Sequence, residues 1–238
     1  MQGTIQRGGQ SRSETVARRT LPSPTLNPAP RDALDLLEQF GATVTVHHDR
    51  EIHAEGDPAD YCYRILSGCV RTVKLMEDGR RQIGEFLVAG DMFGFDTLGT
   101  YVFAAEAVSD VVLRRFPRRM VDALAESNLG LTRRLRDMTV VSLQTAHSRL
   151  LLLGRKTASE RIASFLLEMA ERLPGRHAHV VDLPMGRMDV ADHLGLTIET
   201  VCRILALLRR EGMIGIERGR ITIRDEAALQ QMASEQRH

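Results

Sequence analysis

"GLTIETVCRILALLRREGM" (Gly195–Met213) is the stretch whose reading decides the fold. A glycine and then a threonine open an apolar-periodic run that ends at Gly212. Thr197 suits a helix N-cap and Gly212 a helix stop. In a helix over 198–211, Val201, Ile204, Leu205 and Leu208 share one side and form a stripe for burial. Ile198, Glu199, Cys202 and Arg203 fall on the other side, near the N-terminus. A second helix over 188–194 precedes the Gly195 turn, so the pair has the lengths and the turn of a helix-turn-helix. Downstream, "IGIERGRITI" (Ile214–Ile223) reads as strand, turn and strand with Gly219 at the bend, the pattern of a wing. Upstream, Ile162, Phe165, Leu166 and Met169 of "ASERIASFLLEMAERL" (Ala158–Leu173) share one helical face.

In a helix-turn-helix the N-terminal face of the second helix meets base edges in the major groove of double-stranded DNA. Arginine donates a bidentate pair to guanine O6 and N7, and glutamate accepts from cytosine N4. Glu199 and Arg203 stand four residues apart, so each is placed to orient the other. Taken alone, such a pair reads as an exposed ion pair on a solvated helix face. Between a helix-turn-helix signal and a wing, it reads as base recognition.

The rest of the chain changes grammar twice. Residues 1–30 hold four prolines among glycine, serine, threonine and arginine, which predicts a disordered tail. A short helix is expected over 31–40. Then "TVTV" (Thr43–Val46), "YRIL" (Tyr63–Leu66), "CVRTVKL" (Cys69–Leu75), "QIGEFLV" (Gln82–Val88) and "VVLRRF" (Val111–Phe116) are short and β-prone. Turn signals separate them, including Ser67-Gly68, Asp78-Gly79 and Gly90-Asp91, which argues a β-roll or jelly roll over 31–118. Residues 119–153 read as a short helix and a long one. In the long one Thr139, Leu143, Ala146, Leu150 and Leu153 alternate spacings of four and three, the seam of a two-helix coiled coil. A third region, 154–238, carries the winged helix-turn-helix. The fold class is therefore α+β: an N-terminal β-roll, a long dimerisation helix and a C-terminal winged helix-turn-helix.

Composition fits this without choosing it. The chain has 238 residues, 43% apolar and 26% charged, with a formal net charge of +1. No run approaches the ~18 apolar residues of a membrane helix, and no apolar block marks a signal peptide. No membrane partner and a cytoplasmic location are the expectations. The three cysteines, Cys62, Cys69 and Cys202, form no CxxC and read as free thiols in a reducing compartment.

With these residues in place, the sequence resembles the Crp/Fnr family of bacterial transcription regulators over nearly everything after residue 30. "EGDPADYCYRILSGCVR" followed by "EDGRRQIGEFLVAGDMFG" is similar to the glycine-marked β-roll of cyclic-nucleotide-binding-like domains. "LLLGRKTASERIASFLL" resembles the junction from dimer helix to winged helix in the FNR branch. The cAMP-receptor branch has an additional arginine just before the glutamate, where Ile198 stands here. The FNR and FixK branches are similar to Glu-x-x-Ser-Arg, and here those positions read Glu199, Cys202 and Arg203. The resemblance to the FixK-like branch implies a homodimer on a TTGAT inverted repeat, with RNA polymerase as a partner and activation of low-oxygen or nitrogen-fixation genes. Ile198 is suited to a thymine methyl. Thr197, Thr200, Arg218 and Arg220 are expected to contact phosphates.

Three signals are weighed. A cyclic nucleotide needs a cation for its phosphate, yet no Arg or Lys occurs from Gln82 through Leu113, while Glu85, Asp91, Asp96, Glu106 and Asp110 do. An iron–sulfur sensor of the FNR type uses four cysteines, three near the N-terminus, and residues 1–61 hold none. His47, His48 and His53 form no recognisable haem set and read as surface histidines. No cofactor and no metal are expected. The third signal is oxidation of Cys202, placed in the first turns of a helix beside Arg203; the alternative is that cysteine merely replaces a small serine. Cys62 and Cys69 read as small core residues. Oxygen-sensing relatives place an acidic residue where Ala146 stands, so dimerisation without ligand or metal is expected. Two rival readings remain. One is a receptor for a neutral effector in a pocket lined by Phe86, Phe93, Phe95, Tyr101 and Phe103. The other is a cupin-like metal enzyme, for which the β region lacks His-x-His spacing. The reading adopted is of a regulator that is not an enzyme.

Overall fold

Gly68 shows how tightly the β-prone runs fold back on one another. It joins β3 to β4 at φ +91°, and a Cβ there would lie 2.4 Å from the Asp110 carbonyl oxygen and 2.9 Å from the Val111 Cα. Only glycine lets the chain pass this point. The computed structural model describes residues 32–95, 98–173, 180–217 and 220–234. The tail expected over 1–30 lies outside the described residues, as do Arg218 and the Gly219 bend.

The chain runs α1 (Asp32–Glu38), β1 (Ala42–Val46), β2 (Glu51–His53), β3 (Tyr61–Ser67), β4 (Cys69–Leu75), β5 (Arg81–Val88), β6 (Met92–Phe93), β7 (Ala104–Ala107) and β8 (Val111–Pro117). One sheet has the order β1-β8-β3-β6 and the other β2-β7-β4-β5, with antiparallel pairing throughout. The expected Asp78-Gly79 hairpin forms: Leu75 pairs with Arg81 and Gly79 takes φ +82°. β2, β6 and β7 were not anticipated. Between the sheets lie Tyr63, Ile65, Val70, Leu87, Phe93, Ala105, Ala107, Val111 and Leu113.

After the sheets come α2 (Arg118–Ser127), α3 (Leu129–Arg155), α4 (Ala158–Arg172), β9 (Val180–Val181), α5 (Arg187–Leu194), α6 (Ile198–Arg210), β10 (Ile214–Glu217), β11 (Arg220–Ile223) and α7 (Glu226–Ser234). The short and long helices expected over 119–153 are α2 and α3. β9 and α7 were not anticipated; β9 adds a third strand to the wing beside β11. On α3, Thr139 and Ala146 are exposed, as are Leu143 (56%) and Leu150 (70%). Leu153 departs from that set. It is half-buried in its own chain, where a Cβ added at Gly195 would meet it at 3.8 Å.

The β4–β5 hairpin is covered on both faces. Val70 and Leu87 point between the sheets, whereas Cys69, Val73, Ile83 and Phe86 join a second core built with Ile162, Phe165, Leu166, Leu194 and Leu205. The run Phe86-Leu87-Val88 is continuously apolar for that reason. Cys62 and Cys69 are buried, as the sequence suggested, and burial pushes the Cys69 thiol up to about 12.

One rival reading loses its pocket here, and one expectation fails. The five aromatic residues do not line one pocket. Phe86 faces Phe165 and His193; Phe93 and Tyr101 pack between the sheets; Phe95 packs with Leu37 and Phe116; Phe103 is exposed. The five come from β5, β6 and the segments that follow β6, and only Phe86 and Phe93 lie in strands, one in each sheet. His53 is not a surface histidine either. It is half-buried, stacked on Tyr101 at 3.6 Å between ring centroids, and burial lowers its pKa.

Candidate nucleic-acid interface

The helix-turn-helix is assembled from local signals that all agree. α5 ends at Gly195, which takes the left-handed conformation (φ +61°, ψ +44°), and the Leu196 N–H donates back to the Ala191 carbonyl at 3.0 Å. Thr197 then caps α6, its hydroxyl accepting from the Thr200 N–H at 3.3 Å. Val201, Ile204, Leu205 and Leu208 are buried against α4 and α5, as the periodicity required. Glu199, Cys202 and Arg203 are exposed together on the opposite face; Ile198 and Thr200 are half-buried beside them.

One detail differs from expectation. No ion pair joins Glu199 to Arg203 among the described residues. Glu199 turns back to the start of α6, where its own backbone N–H and the Thr197 hydroxyl hold its carboxyl below the usual carboxylate range. The first N–H groups of a helix lack intrahelical acceptors and compete well for a carboxylate. Among the described residues Arg203 has no hydrogen-bond or ion-pair partner, and it borders an open cleft that Thr157, Ser159, Ile204 and Arg210 also line.

Of the phosphate candidates, Thr197 is exposed and Thr200 shares a hydrogen bond with it. Arg220 is exposed and paired with Asp182 at 3.1 Å, a contact weak enough in water to exchange for a phosphate. Arg218 lies outside the described residues.

Arg161 carries a role that no sequence pattern announced. Its guanidinium donates to three backbone carbonyls: Lys156 at 3.0 Å, Leu153 at 2.8 Å and Leu194 at 2.8 Å. It thereby binds the C-terminal ends of α3 and α5 to the first turn of α4, with a cation where helix dipoles favour one. α4 itself begins with a capping box between Thr157 and Glu160.

His193, only 3% exposed, sits behind the interface against Phe86 and Phe165, with the Arg149 guanidinium on its ring nitrogens. Burial, and then the Arg149 and Arg172 charges, hold its pKa well below the usual imidazole value. The unfolded chain therefore takes up a proton that the folded chain refuses. Stability is present above about pH 6.5 and is lost as pH falls below it, by up to ~1.4 kcal/mol per unit. Urea denaturation at pH 7.5 and 5.5 should show the native protein losing more stability on acidification than His193→Gln does.

Comparison with known proteins bears on both halves of the chain. Residues 43–128 match the cyclic nucleotide-binding domain, and residues 160–232 match the Crp-like helix-turn-helix domain. The nitrogen fixation regulation protein FixK of Azorhizobium caulinodans is 43% identical over 199 residues, 82% of this chain and 80% of that one. FixK of Rhizobium meliloti is 37% identical over 210 residues, 88% of this chain and 92% of that one. The structure of FixK2 from Bradyrhizobium japonicum superposes with a TM-score of 0.79 at 40% identity, covering 82% of this chain and 98% of that chain.

Proposed function

The chain belongs to the Crp/Fnr family of DNA-binding transcription regulators, in its FixK-like branch, and from that premise we propose that it is an activator reading a TTGAT inverted repeat as a homodimer. The observation that carries this reading is the shared exposure of Glu199, Cys202 and Arg203 at the start of α6, backed by a fully buried stripe. Arg203 donates to guanine and Glu199 accepts from cytosine, while Ile198 meets a thymine methyl. Thr197, Thr200, Arg218 and Arg220 hold phosphates and fix the register. Related proteins named for nitrogen fixation support target genes in that metabolism, and the resemblance to the FixK-like branch extends the proposal to low-oxygen genes. RNA polymerase is the partner an activator needs, and the cytoplasm is where both meet. The family consists of regulators rather than enzymes, and among the described residues no group of His, Cys, Asp and Glu is arranged to hold a metal.

Footprinting on TTGAT and TGTGA inverted repeats tests the reading. Protection is expected on TTGAT alone, unchanged by cAMP, and Arg203→Ala should cost about 1–3 kcal/mol and relax selectivity at one guanine. Protection of TGTGA only with cAMP would reject it.

Dimerisation through Thr139, Leu143, Ala146 and Leu150 is supported by their exposure along one stripe of α3, with Leu153 at its edge. Two-fold symmetry would then set the half-sites about 34 Å apart. Sedimentation of the metal-free protein at micromolar concentration should give a dimer, and Leu150→Asp a monomer.

Cys202 is the exposed cysteine, set between Glu199 and Arg203 on the readout face. Two equivalents of peroxide carry its thiolate through sulfenic to sulfinic acid, the peroxide being reduced to water. The new anion would face the phosphates of DNA. Peroxide should abolish binding by the native protein and spare Cys202→Ser; equal sensitivity would remove Cys202 from the mechanism.

A further inference from the structure

A chain of ionised side chains ties α5 to the face of the β4–β5 hairpin. Arg71, in the middle of β4, has a side chain only 10% exposed and uses every edge of its guanidinium. Its Nε donates to Glu106 at 2.7 Å, its Nη2 to Asp49 at 3.1 Å and its Nη1 to Asp189 of α5 at 3.0 Å. The other Asp189 oxygen accepts from Arg81 Nη2, and Arg81 Nε donates to Asp192 at 2.8 Å. Gln82 completes the set, its amide donating to the Asp192 carbonyl at 2.7 Å. Asp189 thus stands 11% exposed between two arginines from a different part of the chain, with both oxygens engaged.

We propose that Asp189 is a positioning residue for DNA binding. The Asp49–Arg71–Asp189–Arg81–Asp192 chain fixes the angle at which the helix-turn-helix leaves the β-roll, and so sets the separation of the two recognition helices in the dimer. The proposal rests on the reading of α6 as the helix that enters the groove.

Three observations support it. The left-handed Gly195 turn and the buried side chains that α5 and α6 share, Ala191 and Leu194 with Val201 and Leu205, couple α5 to α6, so an angle imposed on α5 is imposed on α6. With α5 docked, Glu199, Cys202 and Arg203 remain exposed, so the closed latch belongs to an arrangement able to read DNA. Finally, the apolar contact beneath it, Phe86 on Phe165, is non-directional and does not by itself choose an angle. Hydrogen-bonded ion pairs are directional, and fixing a geometry is the role to which buried pairs are best suited. A dimer whose reading heads are held at one separation gains from binding both half-sites at once, and loses that gain when the spacing is wrong.

The test uses the full-length protein, Asp189→Asn and Arg81→Gln. Affinities are measured on a duplex with one TTGAT half-site and on inverted repeats at the preferred spacing and one base pair longer or shorter. Both variants should keep half-site affinity within about twofold. On the repeat at the preferred spacing they should lose about tenfold or more, and the preference for that spacing should disappear. Arg81 is the more exposed partner, so Arg81→Gln keeps the test decisive if Asp189→Asn fails to fold. Retention of the spacing preference in the folded variants, or equal loss on half-site and repeat, overturns the proposal. Failure of the unaltered protein to bind any of these duplexes would overturn the reading of α6 itself, and the latch with it.

Discussion

The contact of Phe86 with Phe165 and His193 is the constraint on which the rest of the molecule depends. Phe86 belongs to β5, Phe165 to α4 and His193 to α5, and the three rings lie 4.9–6.1 Å apart by centroid. Because β5 contributes Leu87 to the interior of the β-roll and Phe86 to the helical core, one strand serves two cores at once. The winged helix is therefore packed on the sheet rather than tethered to it. Around this apolar floor stand the charges: Arg172 with Asp91, Arg71 and Arg81 with Asp189, and Arg149 over His193. Their burial is tolerated because nearly every one has a partner.

That arrangement gives a second meaning to the cation-free run from Gln82 through Leu113. As a sequence it argued against a bound phosphate. In the structure its acids also serve as counter-ions for arginines supplied from elsewhere: Asp91 for Arg172 and Glu106 for Arg71. These two carboxylates are engaged in holding the fold.

Much of this was legible in the sequence where the signal was local. Gly68, Gly79 and Gly195 stand at positive φ and punctuate the chain where their turns were expected. The stripe Val201, Ile204, Leu205 and Leu208 is buried because a 3.6-residue period leaves no other choice. β2, β6, β7 and β9 escaped notice because two to four residues cannot display an alternation. The partners of Arg71 and Arg81 were invisible for another reason: Asp189 is 118 and 108 residues away in the chain, and no spacing rule reaches that far. The Glu199–Arg203 pair shows the reverse error. Its i,i+4 spacing was correct, but the free N–H groups at the start of α6 outcompete a guanidinium one turn away.

Only Lys156 and Thr157 separate α3 from α4, and Arg161 grips the carbonyls on the α3 side of that joint. So short a joint, stapled in this way, behaves as an axle rather than a tether. A change in the direction of α3 is therefore passed first to α4, which carries α5 on the same guanidinium.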